Sequence, residues 1–513
     1  MTRDRVGICE KLATSVAVLL GLGLFLPGQA AAQKNVTIVL SAEPDSLDGC
    51  MSTRSVTGRV VKQNIVETLT EIDAKDGSVK PRLATSWEKV NDTTWRFKLR
   101  QGVTFTDGVP FNAESVAKSI SRIMDNKELP CEVRTKRFGD LQIKGVPVDD
   151  FTIDIVANKA DPILATRMGV VTLSSPNTQT DKLVWTPVGT GPYVLERFTP
   201  GQEGILRRND KYWGAKPEVE VARYVWRAES SVRAAMVEIG EADLAPDIGA
   251  QDARNPTLDY SYPNSETTYG RIDHTIPPLN DRRIRLALNL AIDREALRGS
   301  VLSKDVIHAT QVVGPAIGGH NHELDKRVRP FDQAEARNLI AAAKADGVPV
   351  DTKITILGRI GYYPNTQEVG EAFLNYWKAV GFNADLKMME STEWSRHANR
   401  PMLEGRGAQV LLHQHDNNAG DPVFSMFSRY TCNGNSSGMC NEDLDKQIAK
   451  ATGLTGQERV VAWREAFRMV YEDVVADIFM YHMVGYARVD KRIKYVPNIS
   501  TNSEIHLADM AFK

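Results

Sequence analysis

The sequence predicts an α/β protein built as two lobes. Three observations lead there. Apolar/polar alternations typical of half-buried strands recur in both halves of the chain. Amphipathic segments with recognisable caps stand between them. No low-complexity linker, and no repeat of about 20–50 residues, breaks the pattern. Strands mixed with helices in each half make two packed α/β units, and ligands favour the cleft between such units.

The elements follow in chain order. Residues 36–40 read as a strand. Trp95-Arg-Phe-Lys-Leu99 alternates, as a half-buried strand does. Gly102 and Asp107-Gly108 mark turns, and Asn112 is placed to cap a helix running towards Met124. Phe151-Thr-Ile-Asp-Ile155 alternates again. A Gly-Pro turn over 188–193 enters a strand, and 231–240 is a short helix closed by Gly240. In the second half, Asn280 or Asp281 caps a helix with Ile284, Leu288, Ala291 and Ile292 on one face. Asp332 and Glu335 have the spacing of a capping box, on a helix that ends near Gly347. Strand 353–357, helix 367–380 stopped by Gly381, and strands 382–388 and 409–413 come next. Helices 442–452 and 458–475 and a returning strand 478–486 complete the chain.

Bulk properties exclude several classes. The 513 residues suffice for two to four domains. The chain is 42% hydrophobic and 25% charged, ordinary globular usage. With 63 basic and 65 acidic residues the net charge is -2, so no strong field draws nucleic acid or an anionic membrane. Residues 1–32 have the form of a secretory signal peptide. Arg3, Arg5 and Lys11 precede an apolar run over 12–26, and Ala30-Ala31-Ala32 offers the cleavage site. That run is shorter than the about 20 residues a span needs, and no cysteine follows the cleavage site to take a lipid. Export leaves Cys50, Cys131, Cys432 and Cys440 in an oxidising compartment. Four cysteines allow three pairings. Cys432 and Cys440 share one Gly/Asn/Ser-rich loop, which favours their bridge and leaves Cys50 with Cys131. No C-x-x-C supports a metal reading.

Catalytic signals are poor. Gly434-Asn435-Ser436-Ser437-Gly438 spells G-x-S-x-G, but it sits in a loop between two cysteines and not on the strand–helix turn a nucleophile needs. No P-loop occurs. Histidines offer more. His413 and His415 alternate on a predicted strand and so share a face, and His320 and His322 lie in a glycine-flanked loop. Imidazoles so spaced suit Zn, Ni or Cu. Asp325 reads as an exposed surface residue.

A series of segments carries a family resemblance. They are Ala42-Glu-Pro-Asp-Ser-Leu-Asp48, Pro81-Arg-Leu-Ala-Thr-Ser-Trp87, Trp95-Arg-Phe-Lys-Leu-Arg-Gln-Gly102 and Phe105-Thr-Asp-Gly108. Pro187-Val-Gly-Thr-Gly-Pro-Tyr193, Asn209-Asp-Lys-Tyr-Trp-Gly214, Pro278-Leu-Asn-Asp-Arg-Arg-Ile-Arg-Leu-Ala287 and Ala291-Ile-Asp293 follow. In order and spacing the chain resembles the dipeptide/oligopeptide/nickel-type extracellular solute-binding proteins of ABC transporters, and dipeptide-binding members most. The resemblance implies a two-lobed periplasmic-binding-protein fold, type II of the large cluster C kind. Its first lobe would hold 33–275 and 485–513, with a subdomain inserted at about 77–188, and its second lobe 276–484. It implies a periplasmic, monomeric binding protein that is neither membrane-inserted nor an enzyme and needs no cofactor. Such a protein hands a small-molecule or peptide ligand to an ABC permease driven by ATPase subunits. It also implies ligand-facing residues. Arg359, before Gly361-Tyr362-Tyr-Pro-Asn365, would hold a ligand carboxylate. Asp416, before Gly420-Asp-Pro422, would hold the amine. Trp394 of a Glu-Trp pair would pack on the ligand. Thr53, Arg54 and Ser55 would face it from the first lobe, with Arg54 favouring an acidic group. The alternative is a metal chelate held by His413 and His415.

Overall fold

An eleven-stranded mixed sheet runs through both lobes. The structure, a computed structural model, describes residues 34–417 and 420–513. The expected leader at 1–32 lies outside the described residues. In spatial order the strands are Tyr193–Thr199, Glu203–Arg208, Val221–Trp226, Asn35–Leu40, Leu244–Ile248, Asp477–Val489, Asp259–Ile272, Ala408–Asp416, Ile354–Arg359 and Ala384–Met389. Ile307–His308 pairs with Asp477–Val489 outside that order.

Two long strands serve both lobes. Asp477–Val489 pairs at one end with Leu244–Ile248 (Leu244 opposite Val489). At its other end it lies beside 267–271. Its partner Asp259–Ile272 breaks register with it twice, between Pro263 and Thr267 and, by a smaller step, between Thr268 and Tyr269. Proline has no N–H to give, so the sheet bends most cheaply at Pro263. The apolar cores divide at the same place. Tyr262, Ala487 and Val489 pack with Val36, Ile38 and Leu40, while Ile272, Ile478 and Tyr481 pack with Leu288, Phe373 and Trp377. Tyr269 and Ile272, expected in the first lobe, pack with residues expected in the second, such as Phe479 and Leu288.

The inserted segment has its own sheet, in the order Ala84–Asn91, Thr94–Leu99, Thr152–Ala157, Ile143–Asp149. Helix Ala113–Met124 covers it, with Val116, Ile120 and Ile123 turned into a core shared with Phe97, Ile153 and Ile155. Asn112 caps this helix reciprocally with Ser115. The Cys50–Cys131 disulfide ties the segment to the first lobe, and Cys432–Cys440 closes a short loop in the second.

The fingerprint residues hold the architecture together. Glu67 is fully buried. Its carboxylate accepts from Arg82 Nε (2.8 Å), Thr190 Oγ1 (2.8 Å), Tyr212 Oη (2.9 Å) and Trp213 Nε1 (2.9 Å). Three separate motifs thus converge on one buried charge, which would be costly unpaired. Gly189 and Gly191 pass so close to the chain that a Cβ would stand 2.0 Å from Ile65 O and 2.3 Å from Asn64 O. Asp48, also buried, receives two N–H groups of Arg122 (2.6 and 3.1 Å) and the backbone N–H of Val184 (2.9 Å). Arg285 donates to the carbonyls of Val474, Val475, Leu279 and Asn280. The first two lie at the end of the wide turn Met469–Val474, where carbonyls lack helical partners.

Local expectations differ from the structure in three places. Asp332 does accept from the Glu335 backbone, but its own N–H goes to Leu290 O, so the capping box is one-sided. The helix expected over 458–475 is Gly456–Arg468 followed by that wider turn. The strand expected over 409–413 extends to Asp416. No helix among the described residues is long and apolar enough to cross a membrane.

Candidate functional site

Three parallel strands of the second lobe end side by side: Ile354–Arg359, Ala384–Met389 and Ala408–Asp416. Ligands of open α/β sheets bind outside such carboxyl ends. Arg359 and Asp416 are the last residues of their strands, and helix Ser391–Ala398, carrying Trp394, starts directly after strand Ala384–Met389. The topology therefore brings the sequence-expected second-lobe residues to one edge.

Arg359 lies with its guanidinium over the Tyr362 ring, 4.2 Å from the centroid. Its Nε is buried without a hydrogen-bond partner, and among the described residues no carboxylate pairs with it. Tyr362 donates to Gln414 O (2.7 Å). Trp394 is 3% exposed, packed with Leu357, Met389 and Leu411. It stands edge-on to Tyr362 (5.0 Å) and to His413 (4.6 Å), and its Nε1 has no partner. Two residues that sequence reasoning missed complete the cluster. Tyr269 stacks on His413 at 5.3 Å, and Arg429 lies 3.2 Å from His413 Nδ1 and from His415 Nδ1. Tyr269 Oη and Arg429 Nε are also buried without partners. Arg429 lies on a short amphipathic helix, Val423–Tyr430, where nothing local singles it out.

Four buried polar atoms with protons to give thus surround one aromatic cluster. A buried donor left unmade costs about 1–3 kcal/mol.

The histidine pair, the alternative metal site, stands beside a cation. Burial holds both imidazoles neutral, well below the ordinary histidine range, and the Arg429 charge adds to it. His415 spends its second nitrogen on Ser425 Oγ (2.6 Å). A dication between these rings would meet the guanidinium already there.

Asp416 is exposed and takes the Ser265 hydroxyl. It lies directly across the ladder from Glu266. Burial, and then the Asp416 charge, push the Glu266 carboxyl up to about 7. Arg137 of the inserted segment is near enough to feel the Asp416 charge. In the first lobe, the Arg54 guanidinium pairs with Glu132 (2.8 Å) and Asp45. Thr53 also bonds Glu132 (3.2 Å), and Ser55 is exposed at the start of helix Ser55–Val61. Ser436 gives its hydroxyl to Asn399 Oδ1 (2.7 Å).

The lobes touch at the rim. Arg167 lies over the Phe424 ring at 4.8 Å. A Cβ on Gly77 would stand 2.7 Å from Gly318 N across the cleft.

Two lobes sharing two crossing strands, with unpartnered donors at the strand ends, define a cleft-type solute-binding protein. The model for bacterial extracellular solute-binding proteins, family 5 (Middle), matches residues 78–437. The chain belongs to that family. It is 25% identical over 497 residues to a probable di/tripeptide-binding protein 5 of Pseudomonas aeruginosa, covering 90% of this chain and 92% of that one. It is 24% identical over 521 residues to the dipeptide-binding protein of Escherichia coli, covering 94% and 96%. In fold it is similar to HbpA2 of Haemophilus parasuis, with TM-score 0.83, 21% identity, and 93% and 100% of the two chains covered.

Proposed function

We propose that this protein captures short peptides or peptide-like, amino-acid-derived solutes between its lobes and delivers them to an ABC permease. It works in the periplasm as the binding component of an importer and performs no chemistry on its ligand. The family and the names of its peptide-binding relatives support the transport role.

The observation that carries the ligand class is Arg359, a half-buried cation at the cleft edge with an unsatisfied Nε and no carboxylate partner. A guanidinium gives a carboxylate two parallel N–H donors, which an ammonium cannot copy. Trp394 and Tyr362 supply the apolar wall beside it. Asp416, with Glu266 beside it, is placed to receive a ligand ammonium.

Calorimetry with a panel of di- and tripeptides tests this. Arg359→Ala should weaken the best ligand by about 2–5 kcal/mol, roughly 30- to several-thousand-fold. Arg359→Lys should recover part of it, and Asp416→Asn should act through the amine. Changes below about threefold for both Arg359→Ala and Asp416→Asn, under the loss expected for a buried pair, would defeat the zwitterion reading.

A further inference from the structure

A second cluster lies in the same lobe and shares no residue with the Arg359 edge. His320, Asp325 and His482 each bring one potential ligand atom, an imidazole nitrogen or a carboxylate oxygen, within 4.8 Å of the others. Both imidazoles are 2% exposed, and Asp325 is half-buried, not the surface residue its sequence context suggests.

The hydrogen bonds around the three fix which way their lone pairs point. His320 Nδ1 lies 3.0 Å from Val313 O, and a carbonyl can only accept, so that nitrogen carries the proton. In the neutral ring the lone pair of His320 is then on Nε2. That atom faces Asp325 Oδ2 at 2.7 Å. Gln311 packs beside the pair. Its Oε1 accepts the Asn321 N–H (2.9 Å), and its amide nitrogen lies 3.2 Å from Asn321 O, from Asp325 Oδ1 and from His320 Nε2. Protonated on both nitrogens, His320 makes an ordinary ion pair with Asp325, and a metal ion on Nε2 would take the place of the proton there. His482 points the same way. Its Nδ1 is 2.8 Å from Thr267 Oγ1, while its Nε2 is buried with no hydrogen-bond partner among the described residues.

We propose that His320, Asp325 and His482 hold a divalent late first-row metal ion, zinc in the first instance. Two imidazoles and one carboxylate are a borderline N/O donor set, and zinc sites of three protein ligands take water or a further ligand as the fourth. His322, exposed at the rim with Nδ1 3.7 Å from Asp325 Oδ2, stands where that fourth ligand would come from. Val313 O and Thr267 Oγ1 are the outer partners that orient the two rings. The ion ties the end of the 314–320 loop to strand Asp477–Val489. That loop carries Ala316 and Gly318, which meet Gly77 of the first lobe. The metal is a resident brace for the cleft rim and not the transported solute.

The test uses tag-free, processed protein, stripped with a chelator and titrated with Zn2+ against a chromophoric competitor. One equivalent should bind, and the melting temperature should rise with free metal, as for any ligand of the native state. His482→Gln and Asp325→Asn should each lower affinity by more than tenfold. Thr267→Val, which removes an outer partner only, should cost about tenfold. Wild-type protein that takes up no zinc overturns the proposal, and so do variants that bind as tightly as wild type. Should the variants not fold, X-ray absorption of the wild-type zinc form decides. Imidazole scattering from two rings is expected, and a shell without imidazole overturns the assignment.

Discussion

His506 stands among three carboxylates, with Glu504 at 3.2 Å, Asp509 at 3.4 Å and Glu71 at 3.8 Å. Burial pulls its pKa down, but Asp509, Glu504 and Glu71 outweigh that and raise it to about 10 from 6.5. Burial pushes Glu504 up, but Lys62 and His506 hold it at about 2, down from 4.5. A raised histidine stabilises the fold fully below its unfolded pKa and loses that contribution as pH climbs through the folded one. A depressed carboxylate does so in the acid direction. The group should therefore stabilise most between pH 4.5 and 6.5, fade towards about 10 on one side and about 2 on the other. Melting curves of wild type and His506→Gln should differ most in that window and converge near pH 10. A gap that stays constant up to that pH rules the linkage out. The ligand edge obeys the same arithmetic of partners. Arg54 pairs with Asp45 and Glu132, whereas Arg359 is left for something else.

Strand Asp259–Ile272 is the element on which the molecule turns, and it is the one least legible in the sequence. It carries Pro263, Asn264, Ser265 and Gly270, residues that read as loop. Its pairing comes from Asp477–Val489 and Ala408–Asp416 on either side, far off in the chain. The capped helices were legible, because a cap is a contact within three residues. Asn112, Asp281 and Asp332 each accept a backbone N–H there. The disulfides separate elements in another way. Cys50–Cys131 closes 81 residues and Cys432–Cys440 closes 8. Loop-closure entropy gives the first about 4.5 kcal/mol and the second about 2.5. Denaturant unfolding of the Cys50→Ser/Cys131→Ser protein should show the larger loss. Equal losses, or the reverse order, would mean that native contacts and not chain entropy set their worth.

At the scale of the whole molecule, two lobes joined by two strands and touching at Arg167–Phe424 and Gly77–Gly318 form a hinge with a latch. A ligand that contacts both lobes favours the closed arrangement by its difference in affinity for the two. Small-angle scattering should give a smaller radius of gyration once a tight-binding peptide saturates the protein. An unchanged radius at saturation would argue against hinge closure as the route to capture.

The sequence by itself determined the α/β class, the capped helices, the Cys432–Cys440 loop pairing and the order of the fingerprint segments. These rest on contacts a few residues long, or on motifs whose glycines and charges answer a fixed architecture, as Gly189, Gly191 and the ligands of Glu67 do. The sequence also named Arg359, Trp394 and Asp416, and parallel strand pairing brought their segments to one edge. Only the tertiary structure decided which charges at that edge are already spent and which are unmet. It alone brought Tyr269 and Arg429 to His413, and His482 to His320 and Asp325. A side chain's partner is set by strands that meet across the whole chain, so what a residue has left to offer a ligand is a property of the fold.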